Sequence, residues 1–305
     1  YDPTCGTAGM LISTVAELKR QGKEWRNLSL YGQELNYGTS AIGKMNMFLH
    51  GIEDAHIAHG DTLKNPAFTN ADGHLQTFDI VLANPPYSIK NWDRDLFSND
   101  PYGRNMWGTP PQGRADYAFF QHIAASLQPR TGRAAILFPH GVLFRQEESS
   151  MRQAAVESDL IEAVIGLGPG LFYNSPMEAV VIILRANKPA ERKNKILFIN
   201  AVDEYARISA QSFLLGEHQQ KILRAYQAFQ DQPGFTRVAT VDDIAALDHT
   251  LAIPRYVSPA AANDAGNGDA GPGFAEALTA WRRAAAQTDA AFAELLDSLT
   301  EEVNK

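Results

Sequence analysis

The chain has 305 residues, enough for one large α/β domain with an appendage or for two modest domains. Its 45% hydrophobic and 20% charged residues are typical of a soluble globular protein, and no apolar run approaches the roughly 18–20 residues that span a bilayer. A single cysteine, Cys5, excludes an internal disulfide and a cysteine-rich zinc site, so a cytoplasmic location is expected. The net charge of −8 excludes nucleic-acid binding through overall charge, so any such binding requires a local basic patch or a partner.

Strand-like and helix-like segments alternate along the first half of the chain, which predicts a doubly wound, mostly parallel α/β sheet. Hydrophobic periodicity predicts helices at 9–21, 39–50, 115–127, 146–158 and 215–230. Apolar runs predict strands at 28–32, 56–58, 78–83, 133–138, 160–167, 179–184 and 195–201. In the second of these helices, the spacing places four apolar residues on one side: Ile42, Met45, Phe48 and Leu49.

A long irregular segment, 88–113, separates the third strand from the next helix, and loops of this length are usually functional or disordered. Basic and aromatic residues alternate in and beside it: Lys90, Trp92, Arg94, Tyr102, Arg104, Trp107 and Arg114. Two interpretations stay open, a local surface for phosphates and stacked bases or a solvated loop with scattered charges. His122 and His140 are expected to be polar helix or loop residues, because no nucleophile accompanies them in a recognisable order.

The last fifty residues or so differ from the rest of the chain in composition and in the spacing of their apolar residues. Ala, Asn, Asp, Gly and Pro dominate 258–273, which predicts a flexible linker. An amphipathic helix is predicted at 274–305, with apolar residues at heptad spacing: Phe274, Leu278, Trp281, Ala285, Thr288, Phe292, Leu295 and Leu299. This seam indicates either packing on the chain's own domain or docking onto a partner helix.

The strand at 78–83 stops at Asn84-Pro85-Pro86-Tyr87, because prolines cannot continue a ladder. A plain strand-ending turn is one interpretation. The position at the carboxyl end of a strand, where doubly wound sheets bind ligands, favours a functional one. The tetrapeptide resembles the catalytic motif of amino-methyltransferases.

That resemblance assigns catalysis to all four residues. An exocyclic amine of adenine is a poor nucleophile, since its lone pair is delocalised into the ring. The side-chain carbonyl of Asn84 and the main-chain carbonyl of Pro85 can each accept one amine hydrogen, which directs the lone pair towards an electrophilic methyl group. The prolines, Pro86 included, restrict the backbone, and Tyr87 offers a face on which an extruded base stacks.

A small-residue turn that opens a helix, 2–9, precedes the tetrapeptide in the chain, and such a turn lets backbone N–H groups approach a ligand. The family carries a glycine-rich S-adenosylmethionine loop in this place. Two acids at strand ends follow in the chain. Glu34 lies where the family binds the ribose hydroxyls of the cofactor, and Asp61 lies where the family contacts its adenine amine. The resemblance thus assigns these cofactor contacts: Asp2, Thr4, Cys5, Gly6, Thr7, Gly9, Glu34, Asp61, Thr62 and Asn84. No metal-ligand spacing appears, and methyl transfer from a sulfonium requires no metal.

Several further segments look like modification subunits of type I restriction-modification systems, namely 32–36, 45–47, 114–122, 132–144, 171–173 and 187–200. The resemblance covers 1–257, which is expected to form the methyltransferase domain, and it implies that the last strands of the sheet form an antiparallel pair. The chain opens at the glycine loop, without the helical region that the family has before it. Residues 168–170 and 175–179 depart from the family pattern and are expected to alter loops near the target base.

The resemblance implies a DNA adenine-N6 methyltransferase that acts on a flipped adenine of double-stranded DNA. It would work as the modification subunit of a complex with a specificity subunit and a restriction subunit. Three alternatives stay open: a stand-alone adenine methyltransferase, a glutamine-N5 methyltransferase acting on protein, and a catalytically silent assembly fragment. The type I segments after residue 114 argue against the glutamine enzyme.

Overall fold

The computed structural model describes residues 1–172, 177–208 and 211–258. The described residues all lie in one compact unit, Tyr1–Ala260. Apart from Ser258, the predicted linker and the predicted C-terminal helix lie outside the described residues. Within the described residues, no helix is both long enough and apolar enough to cross a membrane.

Helices and strands alternate along the described part of the chain. Its α-helices are α1 (Gly9–Arg20), α2 (Tyr37–Leu49), α3 (Arg94–Ser98), α4 (Asp116–Ala125), α5 (Ser149–Glu157), α6 (Gly216–Ala228) and α7 (Val241–Ala245). Its strands are β1 (Tyr31–Glu34), β2 (His56–His59), β3 (Ile80–Ala83), β4 (Arg133–Pro139), β5 (Ile161–Leu167), β6 (Ala179–Arg185), β7 (Lys195–Ala201), β8 (Ala206–Ile208), β9 (Gln211–Phe213) and β10 (Thr236–Thr240). Every helix and strand predicted within 1–257 has a counterpart here. The elements that the pattern did not predict (α3, α7 and β8–β10) have three to five residues each, too few to establish a period.

The central sheet has the strand order β10-β7-β5-β6-β4-β3, and β1 pairs with β2 as a separate parallel ladder. Residues 1–2 lie between β1 and β3 and connect the two ladders. The Asp2 main-chain N–H donates to Tyr31 O at 2.9 Å on one side, and the Leu82 N–H donates to Tyr1 O at 2.9 Å on the other. The result is one continuous sheet in which the chain's first two residues occupy a central position.

Within the six-stranded part of this sheet, β3, β4, β5 and β7 share one direction, and β6 and β10 oppose it. The expected antiparallel pair is β5 with β6, and the sheet continues beyond it through β7 and β10. Neighbouring residues of β5 pack on opposite faces. Val164 joins the core that contains Tyr117 of α4 and Ala155 of α5, whereas Ile165 joins the one that contains Ala225 of α6. Helices therefore cover both faces of a doubly wound sheet.

The side of α2 that carries its large apolar residues is exposed. Phe48 is 69% exposed and Leu49 is 71% exposed, and Ile42 and Met45 are exposed with them. The buried side consists of Ser40, Gly43 and Met47. The helix packs close to a loop: a Cβ atom at Gly43 would lie 3.2 Å from the main-chain oxygen of Gly6. A glycine therefore faces this loop because the close approach leaves no room for a larger side chain at that position, which periodicity alone cannot reveal.

The irregular segment 88–113 folds around the buried side chain of Arg104. The guanidinium donates to the main-chain oxygens of Thr62 at 2.8 Å and Leu63 at 2.7 Å, and it pairs with Asp100 at 2.6 Å. Arg104 is 1% exposed and Trp107 is 7% exposed. The interpretation of these two residues as part of a phosphate and stacking surface is therefore wrong. They hold the segment against the domain instead.

Candidate active site

The polar residues singled out in the sequence gather at one edge of the sheet. Strand β1 ends at Glu34, β2 is followed by Asp61, and β3 is followed by Asn84. Residues 1–2 run parallel to β1 through the bridge between Asp2 and Gly32. Because parallel strands end at the same edge and neighbours lie about 4.8 Å apart, these side chains form a row. This edge is where open α/β sheets bind ligands.

The turn between Asp2 and α1 packs against the end of β1. The Gly6 main-chain N–H donates to Glu34 Oε2 at 3.0 Å, and the Asn36 N–H donates to the other carboxylate oxygen at 2.8 Å. Gly6 (φ +54°) and Ala8 (φ +64°) both adopt the left-handed conformation that turns the chain sharply into α1. Thr7 and Gly9 lie exposed on the outside of this turn. The turn and Glu34 thus form one unit at the sheet edge.

Cys5 faces away from this edge. Its side chain is buried in a small core with Leu11, Val15 and Ile57, and burial raises the pKa of its thiol to about 12. A Cβ atom at Gly32 would lie 2.8 Å from Cys5 Sγ, so the glycine is required for this contact. The predicted cofactor contact of Cys5 is therefore restricted to its main chain.

Two buried side-chain oxygens beside the turn, Asp2 Oδ2 and Thr4 Oγ1, have no hydrogen-bond partner among the described residues. The other oxygen of Asp2 accepts from the Thr4 main-chain N–H at 3.0 Å. Burial raises the pKa of Asp2 to about 7, although that hydrogen bond favours the ionised form. Buried acceptors without partners are costly, and a cationic donor at this place would satisfy them. The ammonium group of S-adenosylmethionine, the cofactor that the sequence resemblance implies, is such a donor, so the residues present fit that group.

Asp61 and Thr62 both shape the turn after β2. Asp61 Oδ1 accepts from the main-chain N–H groups of Leu63 at 2.9 Å and Lys64 at 3.1 Å. The buried Thr62 hydroxyl donates to the main-chain oxygen of Pro3 at 2.6 Å. Thr62 therefore connects this turn to the glycine turn, and Asp61 is held in place beside it.

The tetrapeptide Asn84-Pro85-Pro86-Tyr87 forms the edge beyond β3. Asn84 is exposed, Pro85 is buried, and Tyr87 is 37% exposed. The Tyr87 hydroxyl donates to Asn84 Oδ1 at 3.1 Å. Burial, together with the negative charge of Asp116, raises the pKa of Tyr87 to about 12, so the phenol stays neutral at physiological pH. The hydrogen bond presents Oδ1, the acceptor atom of the amide, in a defined direction.

A cleft of about 320 Å³ opens beside the tetrapeptide, within the size range of small-molecule sites. Its other lining residues come from the segment that leads into β6 and from the first residue of that strand: Phe172, Met177, Glu178 and Ala179. The sequence analysis marked 171–173 as a segment typical of the family and 175–179 as a departure from it, but it gave none of these side chains a role. The sequence offered only an aromatic residue and an acid beside a segment that departs from the family pattern. Such residues indicate a site only once the fold places them in the same cleft as Asn84.

Comparison with known proteins identifies the family. The chain matches the sequence profile described as N-6 DNA Methylase over residues 1–265. It is 38% identical to the MjaVIII methylase subunit of a type I restriction enzyme from Methanocaldococcus jannaschii, over 85% of this chain and 45% of that protein. It is 32% identical to the HindI methylase subunit from Haemophilus influenzae, over 87% of this chain and 60% of that protein.

The structure gives the same result. The methyltransferase subunit of a type I restriction-modification system from Streptococcus thermophilus superposes with a TM-score of 0.76 and 36% identity, over 84% of this chain and 53% of that one. The chain thus spans about half the length of these relatives. The profile match over most of the chain, the identity to type I methylase subunits and the shared fold agree, and the chain belongs to the N-6 DNA methylase family.

Proposed function

We propose that this chain is the catalytic part of a DNA adenine-N6 methyltransferase that uses S-adenosylmethionine as its methyl donor. The observation that carries the proposal is the position of Asn84-Pro85-Pro86-Tyr87, at the end of β3 and beside residues 1–2 and the glycine turn. A methyl donor held at the turn and an amine held at the tetrapeptide would meet at the same edge of the sheet.

Several residues would hold the cofactor. Asp2 and Thr4 would accept from its ammonium group through their unpartnered oxygens. Glu34 would accept from the ribose hydroxyls while it keeps its hydrogen bonds to the turn, and Asp61 lies one strand further along for the adenine amine. When bound, the cofactor supplies a methyl group on a positively charged sulfur.

The tetrapeptide would prepare the amine. A target adenine leaves the duplex and enters the cleft, where Tyr87 and Phe172 offer aromatic faces. Asn84 Oδ1 and the Pro85 carbonyl each accept one hydrogen of the amine, which turns its lone pair out of the ring. The bound cofactor would supply its methyl group to this nitrogen and keep the electron pair of the carbon–sulfur bond on sulfur, and the nitrogen would lose one proton to solvent.

The direct test measures transfer of labelled methyl groups. The intact protein, produced together with the proteins encoded beside its gene, is incubated with DNA and methyl-labelled S-adenosylmethionine. Digestion of the DNA to nucleosides should place the label in N6-methyladenine. Label in N4-methylcytosine or in protein glutamine would support another amino-methyltransferase instead, and no transfer at all would support a silent assembly role.

Replacing Glu34 with alanine should weaken S-adenosylmethionine binding by about 10²-fold or more. Two charge-assisted hydrogen bonds of roughly 1.5–3 kcal/mol each would be lost. Calorimetry on the intact protein measures the affinity, with Glu53→Ala, an exposed acid beyond α2, as the matched control. Glu34→Gln keeps one acceptor oxygen and should lose less. Unchanged affinity in Glu34→Ala would place the ribose elsewhere.

We further propose that the protein works on double-stranded DNA in the cytoplasm, as the modification subunit beside a specificity subunit and a restriction subunit. Its net charge of −8 supports dependence on a partner, because an acidic protein gains little from releasing the counterions of DNA. Taken alone it should bind duplex DNA weakly and without sequence preference. Tight binding and methylation of one defined site by the isolated protein would support the stand-alone alternative.

Deleting 274–305 should reduce assembly with the specificity subunit and leave 1–257 folded. The reason is the heptad seam in this segment, which offers an apolar stripe to a partner helix. Co-purification measures assembly, and circular dichroism with urea unfolding measures folding. A truncated protein that still assembles normally would show that the docking surface lies elsewhere.

A further inference from the structure

A buried cluster of charged side chains lies directly behind the catalytic tetrapeptide. Asp116, 1% exposed and the first residue of α4, pairs with Arg145 at 2.6 Å, and Arg145 also contacts Glu148 at 3.4 Å. Asp116 Oδ1 accepts from the main-chain N–H of Ser88 at 2.8 Å, and its Oδ2 lies 3.5 Å from the Ser88 hydroxyl. The methyl-transfer chemistry described above does not use this cluster.

Ser88 requires such support because of its backbone. It follows Tyr87 directly and adopts φ +51°, the left-handed conformation that disfavours residues other than glycine. The Asp116 carboxylate holds Ser88 there through its main chain. Tyr87 is thus fixed from two sides, by Ser88 next to it in the chain and by the hydrogen bond from its own hydroxyl to Asn84.

We propose that Asp116, held by Arg145, is a positioning residue that fixes Ser88 and thereby sets the direction in which Asn84 and Pro85 present their acceptors. This proposal rests on the methyl-transfer function proposed above. Asp116 is buried against Ser88 and Arg145, so in this proposal it contacts neither the target base nor the cofactor. Its effect reaches the amine through Ser88 and Tyr87, so it should change the rate of transfer and leave cofactor affinity unchanged.

Glu162 provides a matched control within the same domain. It is a fully buried carboxylate on β5 that pairs with Arg185 at 3.1 Å and Arg192 at 3.2 Å. Its partners are not part of the tetrapeptide or of the segment after it. Removing either carboxylate takes a partner away from a partly buried arginine, and of the two carboxylates only Asp116 connects such an arginine to the catalytic loop.

The experiment compares Asp116→Ala with Glu162→Ala in the intact protein, under the conditions in which the wild type methylates DNA. Asp116→Ala should lower kcat by about 10- to 100-fold, since small displacements of reacting groups have effects of this size. Its affinity for S-adenosylmethionine, measured by calorimetry, should stay within about twofold. Glu162→Ala should lower the urea midpoint and keep kcat near that of the wild type.

Asp116→Asn keeps an acceptor for the Ser88 N–H but loses the ion pair with Arg145, so its kcat should lie between those of the wild type and Asp116→Ala. The proposal is overturned if folded Asp116→Ala has the kcat of Glu162→Ala, or if it loses cofactor affinity in proportion to rate. Should Asp116→Ala not fold, an unchanged kcat in Asp116→Asn overturns it. A wild type without methyl transfer would instead refute the proposed function.

Discussion

Replacing Asn84 with alanine should reduce methyl transfer by about 10²–10³-fold, the usual cost of losing one oriented hydrogen-bonding group in a desolvated active site. The alanine side chain removes Oδ1, the acceptor that Tyr87 orients and that the amine of the target base would use. The Pro85 carbonyl alone cannot direct the lone pair of the nitrogen. The fall should therefore appear in kcat, measured as N6-methyladenine formed per minute at saturating cofactor.

Cofactor binding separates this effect from general damage to the site. The turn, Glu34 and Asp2 are untouched by the substitution, so the affinity for S-adenosylmethionine should stay close to that of the wild type. Asn187→Ala, an exposed asparagine that follows β6, is the matched control and should keep full activity. An Asn84→Ala protein that methylates at nearly the wild-type rate would remove the central claim of the proposed mechanism.

Replacing Arg104 with leucine should destabilise the domain by about 3–5 kcal/mol, because it leaves the buried Asp100 carboxylate without its cation. The main-chain oxygens of Thr62 and Leu63 would lose their donors in the same step. His122, whose pKa burial and the Arg104 charge both lower, would lose a neighbour as well. Urea unfolding, followed by circular dichroism, measures the loss as a lower midpoint.

Arg20→Leu is the matched control for Arg104→Leu. Arg20 forms a similarly short ion pair with Glu17, 2.6 Å and one helical turn away, but both side chains are largely exposed. Water already solvates this pair, so its loss should hardly move the midpoint. Equal effects of the two substitutions would mean that the burial of Arg104 contributes nothing to stability.

Sequence reasoning predicted the elements that local chemistry controls. The prolines after Asn84 end a strand whatever surrounds them, and short apolar runs and the 3.6-residue period locate the main strands and helices. The boundaries were less accurate. Strand β1 begins at Tyr31 and not at Leu28, and β3 begins at Ile80 and not at Phe78. A strand begins where a neighbour offers hydrogen bonds, and for both of these strands residues 1–2 are one such neighbour.

The amino-acid sequence by itself determined the family, the order of the cofactor and catalytic motifs, and the doubly wound sheet, because each is encoded in short runs of residues. Only the tertiary structure decided that the apolar side of α2 is exposed, that Arg104 is buried, and that Asp116 supports Ser88. Arg104 meets Thr62 and Leu63 about forty residues away, and Asp116 meets Ser88 across 28 residues. Burial and ion pairing depend on such distant neighbours, which no local pattern contains.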